Sequence, residues 1–158
     1  MNIREFKKED REQAKELFAM YFSDPEFQKE LEDELEVYIN QKEEENKYGF
    51  YIAEESDGEL VGIAGYKDVS DYLKKYTRTD NPTEFYIAAS KYKRKGIGEQ
   101  IKIKILEETK RLGFAEIVFY SPDTHKDSWG FHDRLGFERV EAMEDPDGYP
   151  GVVWRKEI

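Results

Sequence analysis

The residues whose types and spacing could do chemistry lie in the second half of the chain. The stretch YKRKGIGEQI, residues 92–101, sets three consecutive cations, Lys93, Arg94 and Lys95, and two glycines, Gly96 and Gly98, directly before a helical pattern. The first amides of a helix have no partner within it and carry the positive end of its dipole, so they can bind a phosphate. Glycines let a phosphate approach the backbone, and the basic side chains supply countercharge at the rim. A dinucleotide fingerprint needs a third glycine and a P-loop needs a Lys-Ser or Lys-Thr pair, and neither is present. The segment therefore reads either as a phosphate cradle of another kind or as an ordinary turn. The chain has two histidines, His125 and His132. No carboxylate cluster at ligand spacing completes a site with them, so no metal is expected.

Composition limits what such a loop can serve. At 158 residues the chain is the size of one domain, expected over 1–158, with 38% hydrophobic residues to fill a core. A formal net charge of -11 argues against a nucleic-acid partner, which needs a basic face. Zero cysteines exclude disulfides, thiolate metal sites and a cysteine nucleophile, and they fit a cytoplasmic protein. No apolar run approaches the ~18 residues of a membrane span, and the first ten residues lack the apolar core of a signal peptide, so no membrane partner is expected.

The elements that must position the loop follow from periodicity. NIREF is a short strand, and Asp10 is placed to cap a helix with Ala14, Leu17, Phe18 and Tyr21 on one face. Ser23 or Asp24 caps a second helix, with Pro25 in its first turn and Phe27, Leu31, Leu35, Tyr38 and Ile39 inward. Two strands flank Asp57-Gly58, a hairpin signal. TEFYIAAS is a strand, and the helix after the basic loop turns Ile97, Ile101, Ile105, Leu106 and Leu112 inward and stops at Gly113. AEIVFYS is a buried strand, DSWGFHDRLG a short helix closed by Gly136, and the chain ends in a hairpin. The order β-α-α-β-β-β-α-β-α-β-β predicts an α/β (α+β) fold with a mixed sheet.

With these elements placed, the chain resembles the GCN5-related N-acetyltransferase (GNAT) family over nearly its whole length. The family's pyrophosphate signature, Arg or Gln, two residues, Gly, one residue, Gly or Ala, reads here as Lys93-Arg94-Lys95-Gly96-Ile97-Gly98. Lysine in the first position keeps the charge and loses the planar fork. About thirty residues on, a βαβ-sized spacing, GFHDRLGFE resembles Phe-Tyr-x-x-x-Gly-Phe, with His132 in place of the tyrosine. The resemblance implies a single N-acetyltransferase domain: one mixed, mostly antiparallel sheet flanked by helices, with splayed central strands. It implies acetyl-coenzyme A as co-substrate and no metal.

It also implies roles. The strand matching Phe85 to Ala89 should splay from that matching Glu116 to Tyr120, so that Ile87, Ala88 and Ala89 offer backbone groups to the pantetheine arm, which binds like an added strand. The pyrophosphate should sit at Gly96 to Glu99, with Gly96, Ile97, Gly98 and Glu99 giving the amides and Lys93, Arg94 and Lys95 at the rim. An alkylamine of pKa ~10.4 must lose a proton before it attacks. Glu84 is in the region of the family's base or water-holding residue, with Asp80 and Glu54 as alternatives. His132 occupies the position of the acid that protonates the departing thiolate, and Tyr120, Tyr92 or solvent are its alternatives.

The acceptor is read from charge. Between Asp24 and Glu45 ten acids face two lysines, a local balance of -8, which favours a cationic small molecule or a peptide amine. A solvated helix face is the plainer reading of the same residues. The stretch from Lys67 to Pro82 is long for a hairpin loop and could cover an acceptor pocket. A homodimer fits the family's habit. The competing function is a non-catalytic acyl-coenzyme A binding or sensing module.

Overall fold

The computed structural model describes residues 1–41, 45, 47–92 and 96–158. In chain order the elements are β1 (Asn2–Glu5), α1 (Arg11–Tyr21), α2 (Pro25–Asn40), β2 (Gly49–Glu54), β3 (Leu60–Lys67), β4 (Pro82–Ser90), α3 (Ile97–Arg111), β5 (Glu116–Pro122), α4 (Trp129–Arg134), β6 (Glu138–Glu144) and β7 (Pro150–Glu157). This is the order the periodicity predicts. Three 3₁₀ segments, Lys8–Asp10, Asp71–Tyr76 and Asp123–Ser128, are additions that periodicity does not reveal, because each is too short to repeat a pattern.

The strands form a seven-stranded mixed sheet in the order β1-β2-β3-β4-β5-β7-β6. The pairs β1–β2, β2–β3, β5–β7 and β6–β7 are antiparallel, and β4–β5 is parallel. Two compact units share the chain: Met1–Tyr66 with Tyr86–Glu108, and Lys67–Phe85 with Thr109–Ile158. The strand β4 and the helix α3 run from one unit into the other.

In the first unit Ala14, Leu17 and Phe18 of α1 and Leu31 and Leu35 of α2 pack with Phe50, Ile52, Leu60 and Ile63, each almost wholly buried. Burying such side chains contributes roughly 1.5–3 kcal/mol apiece. The cap of α2 is Asp24, whose carboxylate accepts the Glu26 amide at 3.0 Å, with Pro25 following. Asp10 behaves otherwise than its position suggests. Its carboxylate makes no cap bond to α1; it accepts two bonds of 2.8 Å from the Arg4 guanidinium and one of 2.7 Å from the Lys7 amide. Asp10 already has helical backbone angles, φ -81° and ψ -7°, where an N-cap residue has extended ones. In the second unit Leu73, Tyr76, Val118 and Val153 form the buried centre of a smaller core.

Candidate functional site

In the first unit β3 fixes where α3 begins. A Cβ on Gly62 would lie 2.6 Å from Ile97 Cγ2 and 3.0 Å from Ile101 Cδ1, so glycine is what lets the first turns of α3 sit on the strand. Lys91, just past β4, donates its amide to Val61 O at 2.8 Å, and its ammonium is paired with Glu59. Gly96 has a φ of +71°, which L side chains rarely adopt, and its carbonyl accepts the Gln100 amide at 3.0 Å. Ile97 is buried, Gly98 half-buried and Glu99 exposed. Among the described residues nothing lies within 4 Å of where a Gly98 Cβ would stand. Lys93, Arg94 and Lys95, the basic half of the predicted cradle, lie outside the described residues.

On β4 the predicted cofactor residues Ile87, Ala88 and Ala89 carry a backbone irregularity. Ile87 has a φ of +48°, the sole positive value at a non-glycine among the described residues. A β-branched residue there is strained by about 1–3 kcal/mol, and such strain persists where the surroundings impose it. A positive φ reorients the peptide groups on either side of Ile87 relative to an extended strand. Ala88 is exposed and Ala89 buried. The parallel register with β5 covers Pro82↔Glu116 to Glu84↔Val118, and β4 continues to Ser90.

In the second unit the same strand presents Glu84, buried at 7% exposure. Its Oε1 accepts the Ser70 amide at 2.8 Å, while Thr83 Oγ1 donates to Lys67 O at 3.1 Å. These two bonds tie the chain leaving β3 to the start of β4. Burial and then the Glu84 charge push the Tyr72 phenol well above its usual pKa. His132, on α4, is 5% exposed. Its ring meets Phe119 at 4.8 Å and Trp154 at 5.0 Å, both edge-on, with Phe131 and Phe137 farther out. Phe119 also meets Phe85, the neighbour of Glu84, at 5.7 Å. One ring thus separates the residue beside the predicted base from the predicted acid.

The chain from Arg11 to Phe137, most of its length, matches the profile of the acetyltransferase (GNAT) family. The chain belongs to the GNAT acetyltransferase family. Solved structures similar to it are remote in sequence. A ribosomal-protein-alanine N-acetyltransferase from Brucella melitensis is 16% identical, with a TM-score of 0.76 and 100% of both chains covered. The PaiA N-acetyltransferase from Thermoplasma acidophilum, in complex with coenzyme A, is 18% identical at a TM-score of 0.70, covering 99% of this chain and 98% of that one. An aminoglycoside 6'-N-acetyltransferase complexed with coenzyme A is 14% identical at 0.73, covering 99% and 97%. At these identities the likeness is one of fold. No curated protein matches by sequence.

For this GNAT chain the alternatives named from sequence have definite surroundings. Glu54 is engaged by Arg4 at 3.1 Å, and that bond, with one from Asn2, holds its carboxyl below its usual pKa. Asp80 and Tyr92 are exposed. Tyr120 donates its hydroxyl to Tyr149 O. Burial first, then the charges of Asp145, Asp123 and Glu144, push its pKa up to about 12. Among the described residues no three His, Asp or Glu side chains are grouped to hold a metal, and no helix is long and apolar enough to cross a membrane. Sequence reasoning missed the Ile87 backbone, which has no glycine to announce it, and the Ser70 partner of Glu84. It also missed the rings enclosing His132, which come from β5, β7 and α4 and have no common spacing.

Proposed function

We propose that this GNAT domain, acting over 1–158, moves the acetyl group of acetyl-coenzyme A to a primary amine on a cationic small molecule or peptide. The observation that carries the reading is at Gly98. Its backbone lies at the first turn of α3, its φ does not demand glycine, and among the described residues nothing occupies the Cβ position. A phosphate at the helix start accounts for that glycine where packing does not. The bound coenzymes of PaiA and of the aminoglycoside acetyltransferase support the same partner here.

The roles follow from the residues. Gly96, Ile97, Gly98 and Glu99 supply amides to the pyrophosphate, with Lys93, Arg94 and Lys95 as countercharge. The backbone of Ile87, Ala88 and Ala89 holds the pantetheine arm and polarises the thioester carbonyl. Acetyl-coenzyme A supplies an acyl group activated as a thioester. Glu84 takes the amine proton directly or through a water. His132 returns a proton to the sulfur.

One observation favours the second reading, an acyl-coenzyme A binding or sensing module: Glu84 and His132 are both buried, and both have contacts within the protein. Turnover separates the two. Purified protein is supplied with acetyl-coenzyme A and a panel of polyamines, aminoglycosides, amino acids and basic peptides, and free thiol is followed. Amine-dependent thiol release supports the transferase; tight coenzyme A binding with no release across the panel supports the module.

A further inference from the structure

Ser128 stands one helical turn before His132, and its hydroxyl has two neighbours. It donates to the carbonyl oxygen of His125 at 2.8 Å, and His132 Nε2 lies 3.4 Å from the same hydroxyl oxygen. A serine hydroxyl has one proton and two lone pairs. With the proton directed at His125 O, the oxygen has a lone pair for the imidazole, an arrangement that suits the tautomer protonated on Nε2. A serine at the start of a helix ordinarily accepts from a helix amide. Ser128 does not: it makes no such bond, and its backbone is already helical at φ -89°, ψ -9°. His125, at φ -107°, ψ 25°, departs from helical geometry in the segment just before. The local chain thus directs the hydroxyl to these two neighbours instead of capping α4.

We propose that Ser128 is a positioning residue for His132, fixing the neutral imidazole with its proton on Nε2, so that Nδ1 is the nitrogen that gives up and regains a proton during acetyl transfer. The proposal rests on the reading of His132 as the acid. The proton balance is simple. The imidazolium carries a proton on each nitrogen; the one on Nδ1 passes to the departing thiolate sulfur, its bonding pair stays on Nδ1, and the Nε2–H bond to Ser128 is kept throughout. An alkylammonium loses two protons on becoming an amide: Glu84 takes the first before attack and passes it to solvent, and the second, shed by the acetylated nitrogen, restores the imidazolium. The edges of Phe119 and Trp154 pack against the ring and oppose a flip about Cβ–Cγ, which would put Cε1 where Nε2 stands and break the contact with Ser128. Charged groups stand over the rings of this cluster. Arg139, paired with Asp133 at 2.8 Å, is 4.9 Å from the Trp154 ring and 5.4 Å from Trp129; Arg134 is 5.9 Å from Phe131, and Lys126 is 5.6 Å from Trp129.

The test needs no substrate for its first readout. Nitrogen-15 histidine labelling gives two imidazoles to follow, and His125→Gln leaves His132 alone. Long-range proton–nitrogen correlation at a pH where the ring is neutral reports which nitrogen is protonated. The expected result is protonated Nε2 in the wild type, a mixture or the other tautomer in Ser128→Ala, and restoration in Ser128→Thr. In steady state Ser128→Ala should lower kcat by about tenfold or more, less than the 10²–10⁴ of losing an acid, with KM for acetyl-coenzyme A unchanged and threonine recovering the rate. A wild-type ring protonated on Nδ1, a tautomer indifferent to Ser128→Ala, or an unchanged kcat overturns the proposal. Failure of the transferase reading is seen separately, as absence of thiol release with any amine.

Discussion

Gly96 and Gly98 stand two residues apart and are glycine for different reasons. The first is required by its backbone, at φ +71°; the second has an ordinary φ and, among the described residues, nothing where its Cβ would stand. Gly98→Val should therefore fold with an unchanged thermal midpoint while losing at least tenfold in coenzyme A affinity by calorimetry, roughly 1.4 kcal/mol. An intact affinity would place the phosphates elsewhere. At His132, replacement by Phe should lower kcat by about a hundredfold or more and leave coenzyme A affinity intact. The pH profile separates it from Tyr120. A phenol with its pKa raised to about 12 keeps its proton over the working range, so an acid at Tyr120 gives no alkaline fall in rate near neutrality. An imidazole does. His132→Tyr should move that fall to higher pH, and Tyr120→Phe should leave it in place.

At the scale of elements, the entry into β4 depends on one buried carboxylate. Glu116, fully buried on β5, accepts the amides of Arg78 and Thr79 and the Thr79 hydroxyl, each at 2.8 Å, and Arg155 of β7 at 2.6 Å. The segment leading to Glu84 is thereby fastened to the strand that β4 pairs with. Burial alone would raise the Glu116 pKa; the bonds from Thr79, Arg78 and Arg155 outweigh it and hold it low. A depressed carboxylate contributes stability that is present above its unfolded pKa and lost as pH falls through the folded one. Arg155→Met leaves the charge without its guanidinium and should cost about 3–5 kcal/mol in denaturant unfolding. Glu116→Gln should flatten the acid side of the stability profile. An Arg155→Met protein as stable as wild type would show that the Thr79 and Arg78 bonds suffice.

For the whole molecule the dominant property is its net charge of -11, concentrated in and after α2. Part of that charge is already engaged: Glu36 meets Arg11 at 2.7 Å, and Asp33 meets Lys29 at 3.6 Å. Glu43 and Glu44 lie outside the described residues. Glu30 and Glu32 are therefore the better substitutions, since Glu36 also ties α1 to α2. Replacing both by Gln should raise KM for a cationic acceptor and weaken its dependence on salt, screened over ~8–10 Å, with coenzyme A binding little changed. A KM insensitive to salt and to both substitutions would make the acidic helix a solvated face.

Element order, the caps at Asp24 and Gly113 and the family itself were legible in the sequence, because periodicity, capping chemistry and the GxG spacing are local properties of the chain. Gly98 could be singled out from the same local pattern. Tertiary structure decided the rest. Asp10 looks like a cap and is instead held by Arg4, six residues away in the chain and brought in by β1. Glu84 and Ser70, fourteen residues apart, meet only because the chain between β3 and β4 folds back on the strand. The left-handed φ of Ile87 occurs in a strand residue packed against a core drawn from α1, α2, β2 and β3, and no local preference of isoleucine predicts it. A histidine in the tyrosine position was visible from the start. Its enclosure by rings from β5 and β7 depends on strand register, which is fixed by long-range pairing and leaves no mark in the spacing of residues.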